Sequence, residues 1–362
     1  MRRILGFGLC LAVCLVLNAQ AQSYKSQSEA PLVADAVTET SSGSSAITPQ
    51  DTKDKAPETL EDLQEKALKG DVEAQLNLGY MYLYGVNGTN IDYQQALDYY
   101  TKAAEQGSAV AYNNLGSLYF SGIGTNVNKD KALECFQKAA DLGSHDAAVN
   151  LAIIYLGEAN QNPSNFDKVL PLLNQAKKDN TIAKYLLGYS YLKGFIVTED
   201  YRKAFQLIKA AADEKYDEAQ YVLADFYIHG RGATKNYNKA VEYLKEAAQQ
   251  GNVDAIMQLA DIFVAGKIYT TNIKQAHILY NVASVLGNKE AAEKRDALEA
   301  NLKIEDLLIV QAEAEDFKEQ PSDKTSFIRQ TFGRSLKNYI DSNLKLYKSM
   351  TTSSQKNKEK KN

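Results

Sequence analysis

From Leu60 onward the pattern of apolar positions repeats about every 36 residues. Alanine recurs at Ala74, Ala111, Ala147, Ala183, Ala219, Ala255 and Ala291, in steps of 37, 36, 36, 36, 36 and 36 residues. Four residues after the first six of these stands a leucine (Leu78, Leu115, Leu151, Leu187, Leu223, Leu259), and eight after them an aromatic (Tyr82, Tyr119, Tyr155, Tyr191, Tyr227, Phe263). Positions i, i+4 and i+8 share one face of an α-helix, so each unit is predicted to open with a helix, here helix A. The residue after the leucine is Gly79, Gly116, Ala152, Gly188, Ala224 or Ala260. Glycine inside a helix costs about 0.5 to 1 kcal/mol relative to alanine. Its return at one place predicts a helix crossing that admits only a minimal side chain.

Glycine then opens most loops (Gly85, Gly122, Gly194, Gly230, Gly266), and a short polar residue precedes the next apolar run: Asp92, Asn128, Asn165, Asp200, Asn236 and Asn272. Such side chains accept an orphan N–H at a helix start, which makes these six the expected N-caps of a second helix, B. Helix B carries Ala96, Tyr100, Ala103 and Ala104 in the first unit and Ala132, Phe136, Ala139 and Ala140 in the second. It ends at Gly107, Gly143, Gly251 and Gly287, as left-handed helix ends do. Asp71, Ser108, Ser144, Asn252 and Asn288 are the expected caps of helix A. The third unit departs, with Val169, Pro171, Lys177 and Asn180 replacing alanine or glycine or entering helix B. Proline near a helix start is tolerated, so a bend is expected there rather than a break.

These columns resemble the Sel1-like repeat family, a relative of the tetratricopeptide repeat with a longer inter-helix loop. Ala74–Gly79 and Lys102–Gly107 read almost as the family pattern, and the resemblance extends from Leu60 to Phe317, where Arg295–Leu298 looks like a closing segment. It implies an all-α fold: a right-handed α/α solenoid, or superhelix, of about six to seven repeats over residues 58–317, with a concave groove and a C-terminal capping helix. By analogy with tetratricopeptide repeats, the residue before each helix A leucine points into that groove. Asn77, Asn114 and Asn150 would then form a ladder for an extended peptide, with Tyr80, Tyr84, Asn113, Tyr185, Tyr189, Tyr221, Asp225 and His229 beside them. Aromatic and polar side chains of this kind suit a binding surface.

The flanks carry other signals. Arg2 and Arg3 precede an apolar run from Ile4 to Leu17, and Ala19-Gln20-Ala21 follows. This reads as a cleaved signal peptide, residues 1–21, since the run is shorter than the roughly 20 residues of a membrane span. Leu11–Cys14 looks like a lipidation box, but branched Val13 at the cut and apolar Leu15–Leu17 after it oppose that. Residues 22–57 are rich in Ser, Thr, Ala, Asp, Glu and Gln and read as a disordered linker. Residues 318–350 place Phe327, Ile328, Phe332, Leu336, Tyr339, Ile340, Leu344 and Tyr347 at helical spacing, which predicts an amphipathic helix covering the solenoid's open end. Residues 351–362 read as a disordered, solvated basic tail.

Composition narrows the function. There are 41 Lys and Arg against 45 Asp and Glu, a net charge of −4, which argues against a nucleic-acid partner. Of three cysteines, Cys10 and Cys14 fall in the signal, so Cys135 is left alone and no internal disulfide is expected. It stands in a column with Tyr99, Leu172, Leu207, Tyr243 and Leu279, which makes it core filler. His145, His229 and His277 occupy three different repeat positions with no partners at metal-ligand spacing. No catalytic, cofactor or metal residues are expected, and the cysteine pairs of the family members linked to penicillin binding are missing. The leading expectation is an exported bacterial scaffold, periplasmic or secreted and with the outer membrane as one destination, that binds a protein or peptide. It would touch a membrane only peripherally. Two alternatives stand beside it: an enzyme or binding protein acting on envelope polymers such as peptidoglycan, and a secretory-pathway adaptor of a eukaryote.

Overall fold

A computed structural model describes residues 59–159, 161–332 and 335–359; the expected signal peptide and linker lie outside these residues. Among them there are seventeen helices and no strand. The chain divides into two compact units, residues 1–147 and 148–362.

The N-terminal unit contains α1 (Leu60–Leu68), α2 (Val72–Tyr84), α3 (Tyr93–Glu105), α4 (Ala109–Ser121) and α5 (Lys129–Asp141), each packed on the next. The expected caps are in place: Asp71 accepts from the Ala74 N–H, Asp92 from Gln94 and Gln95, Ser108 from Ala111, and Asn128 from Lys131. Gly85 and Gly122 close α2 and α4 in the left-handed conformation. One core joins the B and A helices of successive repeats through Leu83, Ala96, Leu97, Tyr100, Ala104, Ala111, Leu115 and Leu118. Cys135 packs against it, half-buried, as the column predicts. The glycine column is a close crossing: a Cβ on Gly79 would stand 2.7 Å from the Tyr100 ring, and one on Gly116 2.7 Å from the Phe136 ring.

The second unit begins within α6 (His145–Glu158) and continues through α7 (Asn165–Ala176), α8 (Thr181–Lys193), α9 (Tyr201–Asp213), α10 (Asp217–His229), α11 (Tyr237–Gln249), α12 (Val253–Ala265) and α13 (Ile273–Val285). Both α14 (Lys289–Glu299) and α15 (Ile304–Glu315) pack on α13. Asp200, Asn236, Asn252, Asn272 and Asn288 cap their helices as expected. In the third unit Pro171 sits inside α7 without ending it. There the cap expectation fails: Ser164 holds the N-cap position with no side-chain bond to the helix, and Asn165 is buried as the first helical residue. The backbone reaches the helix through a turn in which the Asn165 and Phe166 N–H groups bond Asn162 and Pro163, one residue out of register with the other repeats. Asn180, the odd residue of that unit, caps α8 by accepting from Ala183.

Two helices follow the array, α16 (Asp323–Phe332) and α17 (Leu336–Glu359). They cover apolar surface, as a cap should, but that surface belongs to the A helices of the second unit. The far end instead keeps Ile304, Leu308 and Ile309 of α15 exposed. Residues 351–359, expected as a disordered tail, continue α17. Lys, Gln and Glu there propagate a helix readily once packing upstream has started it.

Candidate functional site

The A helices of the second unit, α6, α8, α10 and α12, present one face, and repeat five is its odd member. The other B-to-A turns of the matched repeats end in glycine and a polar cap. Here Lys215 takes the left-handed conformation at φ 65°, and Tyr216 holds the N-cap position of α10 with no side-chain bond to the backbone N–H groups of the helix. The helix therefore starts with unanswered N–H groups and two acids, Asp217 and Glu218, both buried. The missing partners come from the C-terminal segment. Thr325 Oγ1 accepts from the Asp217 N–H at 3.1 Å, and the Thr325 and Ser322 hydroxyls donate to the Lys215 carbonyl at 3.1 and 2.7 Å. The acids match the positive end of the helix dipole.

Charge follows the same seam. Arg329 Nη2 lies 2.7 Å from Asp217 Oδ2, and Nη1 lies 3.0 Å from Glu319. Glu218 accepts from the Tyr216 hydroxyl at 2.8 Å and from the Lys337 N–H at 3.1 Å. Burial pushes its carboxyl above the usual range, against the pull of hydrogen bonds from Ser335, Tyr216 and Lys337 and with the push of the Asp217 charge. The Lys337 ammonium pairs with Asp254 of α12 and lies 5.4 Å over the Tyr221 ring. Further along α17, Asp341 accepts from the Tyr189 hydroxyl at 3.0 Å, and the Tyr339 hydroxyl donates to the Ile153 carbonyl of α6 at 2.9 Å. Tyr347 stands edge-on to Phe166 and Phe195 at 5.3 and 5.4 Å.

The residues expected to line a groove divide accordingly. Tyr185 and Tyr189 are buried, stacked 5.8 Å apart, with Tyr185 also edge-on to Tyr216. Burial raises all three hydroxyls well above the usual phenol range, for Tyr189 with the help of Asp341. Tyr221 is half-buried under Lys337. Asp225 and His229 are reachable from solvent: Asp225 lies 3.1 Å from the imidazole and 3.4 Å from Arg231, which crosses the Tyr201 ring. Asn150 is half-buried on α6. In the N-terminal unit Asn77 is half-buried, while Asn113 and Asn114 are buried at 6% and 8% exposure. Tyr80 and Tyr84 touch at 4.7 Å between ring centres. The three asparagines are thus unequal: Asn114 is buried, whereas Asn77 and Asn150 are half-buried.

Sequence reasoning missed Asp217, Glu218, Asp254, Arg329, Lys337 and Asp341. A signal existed in the break of the Gly-then-cap pattern at Lys215–Tyr216, where two acids open a helix that lacks its own cap. No group of described His, Cys, Asp and Glu residues could hold a metal ion, and no described helix is long and apolar enough to cross a membrane.

The repeat geometry has counterparts among known proteins. The Sel1 repeat model matches residues 72–108, 109–144, 181–216 and 217–252. The chain carries four Sel1 repeats. The match passes over the third repeat, whose Pro171 and Asn180 depart from the pattern although α6 and α7 still form there. Among solved structures, this Sel1 chain is similar to c5321, a protective antigen of uropathogenic Escherichia coli with an SLR fold. The two share 25% identity over 75% of this chain and 58% of that one, with a TM-score of 0.65. The chain thus spans little more than half of that relative. It is also similar to a Sel1 repeat protein from Oxalobacter formigenes, at 27% identity over 62% of this chain and 90% of that one, with a TM-score of 0.52. A comparison with curated proteins gives no match. Sel1-repeat proteins are in general non-catalytic scaffolds for protein binding.

Proposed function

We propose that this Sel1 chain is an exported scaffold that binds a protein or peptide on the face of its A helices and performs no chemistry of its own. The observation that carries the reading is the seating of α17 on that face. Side chains at Tyr189, Tyr221, Glu218 and Asp254 each engage a helix that is remote in sequence. A surface that selects one helix by hydroxyl, carboxylate and ring contacts has the means to select a protein ligand. Export rests on Arg2–Arg3, the 14-residue run Ile4–Leu17 and Ala19–Ala21. The likeness to an antigen of a uropathogenic bacterium supports a place at the cell envelope, in assembly or in contact with a host.

The test is crosslinking in living bacteria. A photoreactive residue at His229, which is exposed beside Asp225, is expected to capture a discrete envelope or host protein, and one at exposed Asn301 is not. Equal capture at both positions would remove the groove from the reading. N-terminal sequencing of the extracytoplasmic protein is expected to begin near Gln22, and a chain retaining Met1 would refute export by a cleaved signal.

A further inference from the structure

We propose that α16 and α17 form an internal ligand of the face made by α6, α8, α10 and α12, and that this face takes an amphipathic helix of a partner protein with the same chemistry. That chemistry is a hydroxyl at the bare start of α10, a cation against Asp254 and, four residues on, a carboxylate against the Tyr189 hydroxyl. The inference rests on the protein-binding reading and narrows it.

Three observations support it. Repeat five lacks its own cap, and Thr325 supplies one from outside the array. A helix start with open N–H groups and flanking acids is complementary to a Ser or Thr hydroxyl followed by a cation, the order in which Thr325 and Arg329 arrive. Next, Lys337 and Asp341 are spaced i, i+4 and flank buried Ile340, so one face of α17 carries both the apolar contact and the two charges. Recognition therefore lies in a short helical signature rather than in the whole segment. Finally, the seam is polar and incompletely satisfied: Asp217 Oδ1 and Arg329 Nε are buried there without a hydrogen-bond partner. Buried charges of this kind specify geometry more than they add strength, and polar seams are typical of contacts that open. Phe317–Ser322, which carries no regular structure, tethers the segment to α15. A tethered ligand competes at high local concentration, so an outside helix meets the face only in the fraction of molecules where the segment has lifted.

The probe is a labelled synthetic peptide spanning Ser335 to Thr351, titrated into the full chain. The variant Lys337→Glu with Asp341→Lys removes both charged anchors from the internal copy while keeping an intrahelical pair. It is expected to bind the peptide about tenfold or more tightly than the unchanged chain. Adding Asp254→Ala, which removes the partner of the peptide's first Lys without offering a new one to the internal copy, is expected to abolish that gain. Equal affinity for the unchanged chain and the charge-swapped variant would overturn the proposal. Should the variant fold poorly, hydrogen exchange on the unchanged chain decides. Amides of α17 are expected to open far more often than those of α8 and α10, and exchange at the same rate would show a fixed structural element. A cellular partner that the peptide does not displace would sink the internal ligand and leave the scaffold reading intact. Charge-dependent peptide binding with no cellular partner would do the reverse.

Discussion

Gly116 faces the ring of Phe136 so closely that a methyl group in its place would stand 2.7 Å from the ring carbons. Phe136 is fully buried, so the ring has nowhere to withdraw. Gly116→Ala is expected to lose about 1 to 3 kcal/mol from overpacking. That outweighs the 0.5 to 1 kcal/mol or so that alanine gains in helix propensity. Denaturant melts of the N-terminal unit check it, and a stabilised variant would mean that the crossing is looser than the geometry indicates.

Leu187 is 1% exposed on α8, between the neighbouring helices of its array. Leu187→Ala should cost about 2 to 5 kcal/mol, and stacked repeats should spread the loss to adjacent pairs. A loss below about 1 kcal/mol in urea melts would contradict a core role.

Glu218 makes stability depend on pH. Its folded-state carboxyl is raised by burial, so the native chain holds the proton more firmly than the unfolded one. The associated stability is present at low pH and is lost as pH rises through the raised value. The groups facing it are Asp217, Tyr216, Tyr185, Ser335 and Lys337. Relative to Glu218→Gln, which cannot ionise, the unchanged chain should lose ground as pH rises above about 4, the ordinary carboxyl range. Parallel melting midpoints across that range would show that Glu218 does not titrate in the folded state.

Burial pushes the Cys135 thiol up to about 11, with the Glu134 charge adding to it. In a chain beginning at Gln22, where Cys135 is the sole cysteine, an aromatic disulfide reagent at pH 8 should react about a hundredfold more slowly than with free cysteine. Addition of denaturant should abolish the difference, and fast reaction in the folded state would place the thiol at the surface.

Much of the fold was legible because caps, glycine ends and alanine columns act locally. Asp92 bonds residues two and three positions away, and Gly85 ends α2 by its own backbone conformation. Asn165 misled because the turn at Asn162–Ser164 shifts the helix start, which composition at one position does not register. The candidate site was legible only in part. An apolar stripe from Ile328 to Tyr347 announces that something will cover it, but not which helices will. Pairs such as Tyr189 and Asp341, 152 residues apart, follow no short-range rule. The same gap explains Tyr185 and Tyr189: bulky aromatics on an inward face look alike whether a partner or the chain itself will bury them.

The C-terminal segment also limits how this gene can grow or shrink. Arrays of equal units change length by duplication or loss of a unit, since each contacts mainly its neighbours. From Lys337 to Tyr347 α17 advances about 15 Å, and over that span it must meet Asp254, Ile153, Tyr189 and Phe166 in turn. A 36-residue unit gained within α2–α5 leaves every one of these contacts in place. The same gain between α8 and α12 moves Asp254 out of reach of Lys337 while Asp341 still meets Tyr189, and the helix can no longer satisfy both. Copy number is therefore free on one side of α6 and fixed on the other, and natural variation in length among descendants of this chain should fall in its N-terminal unit.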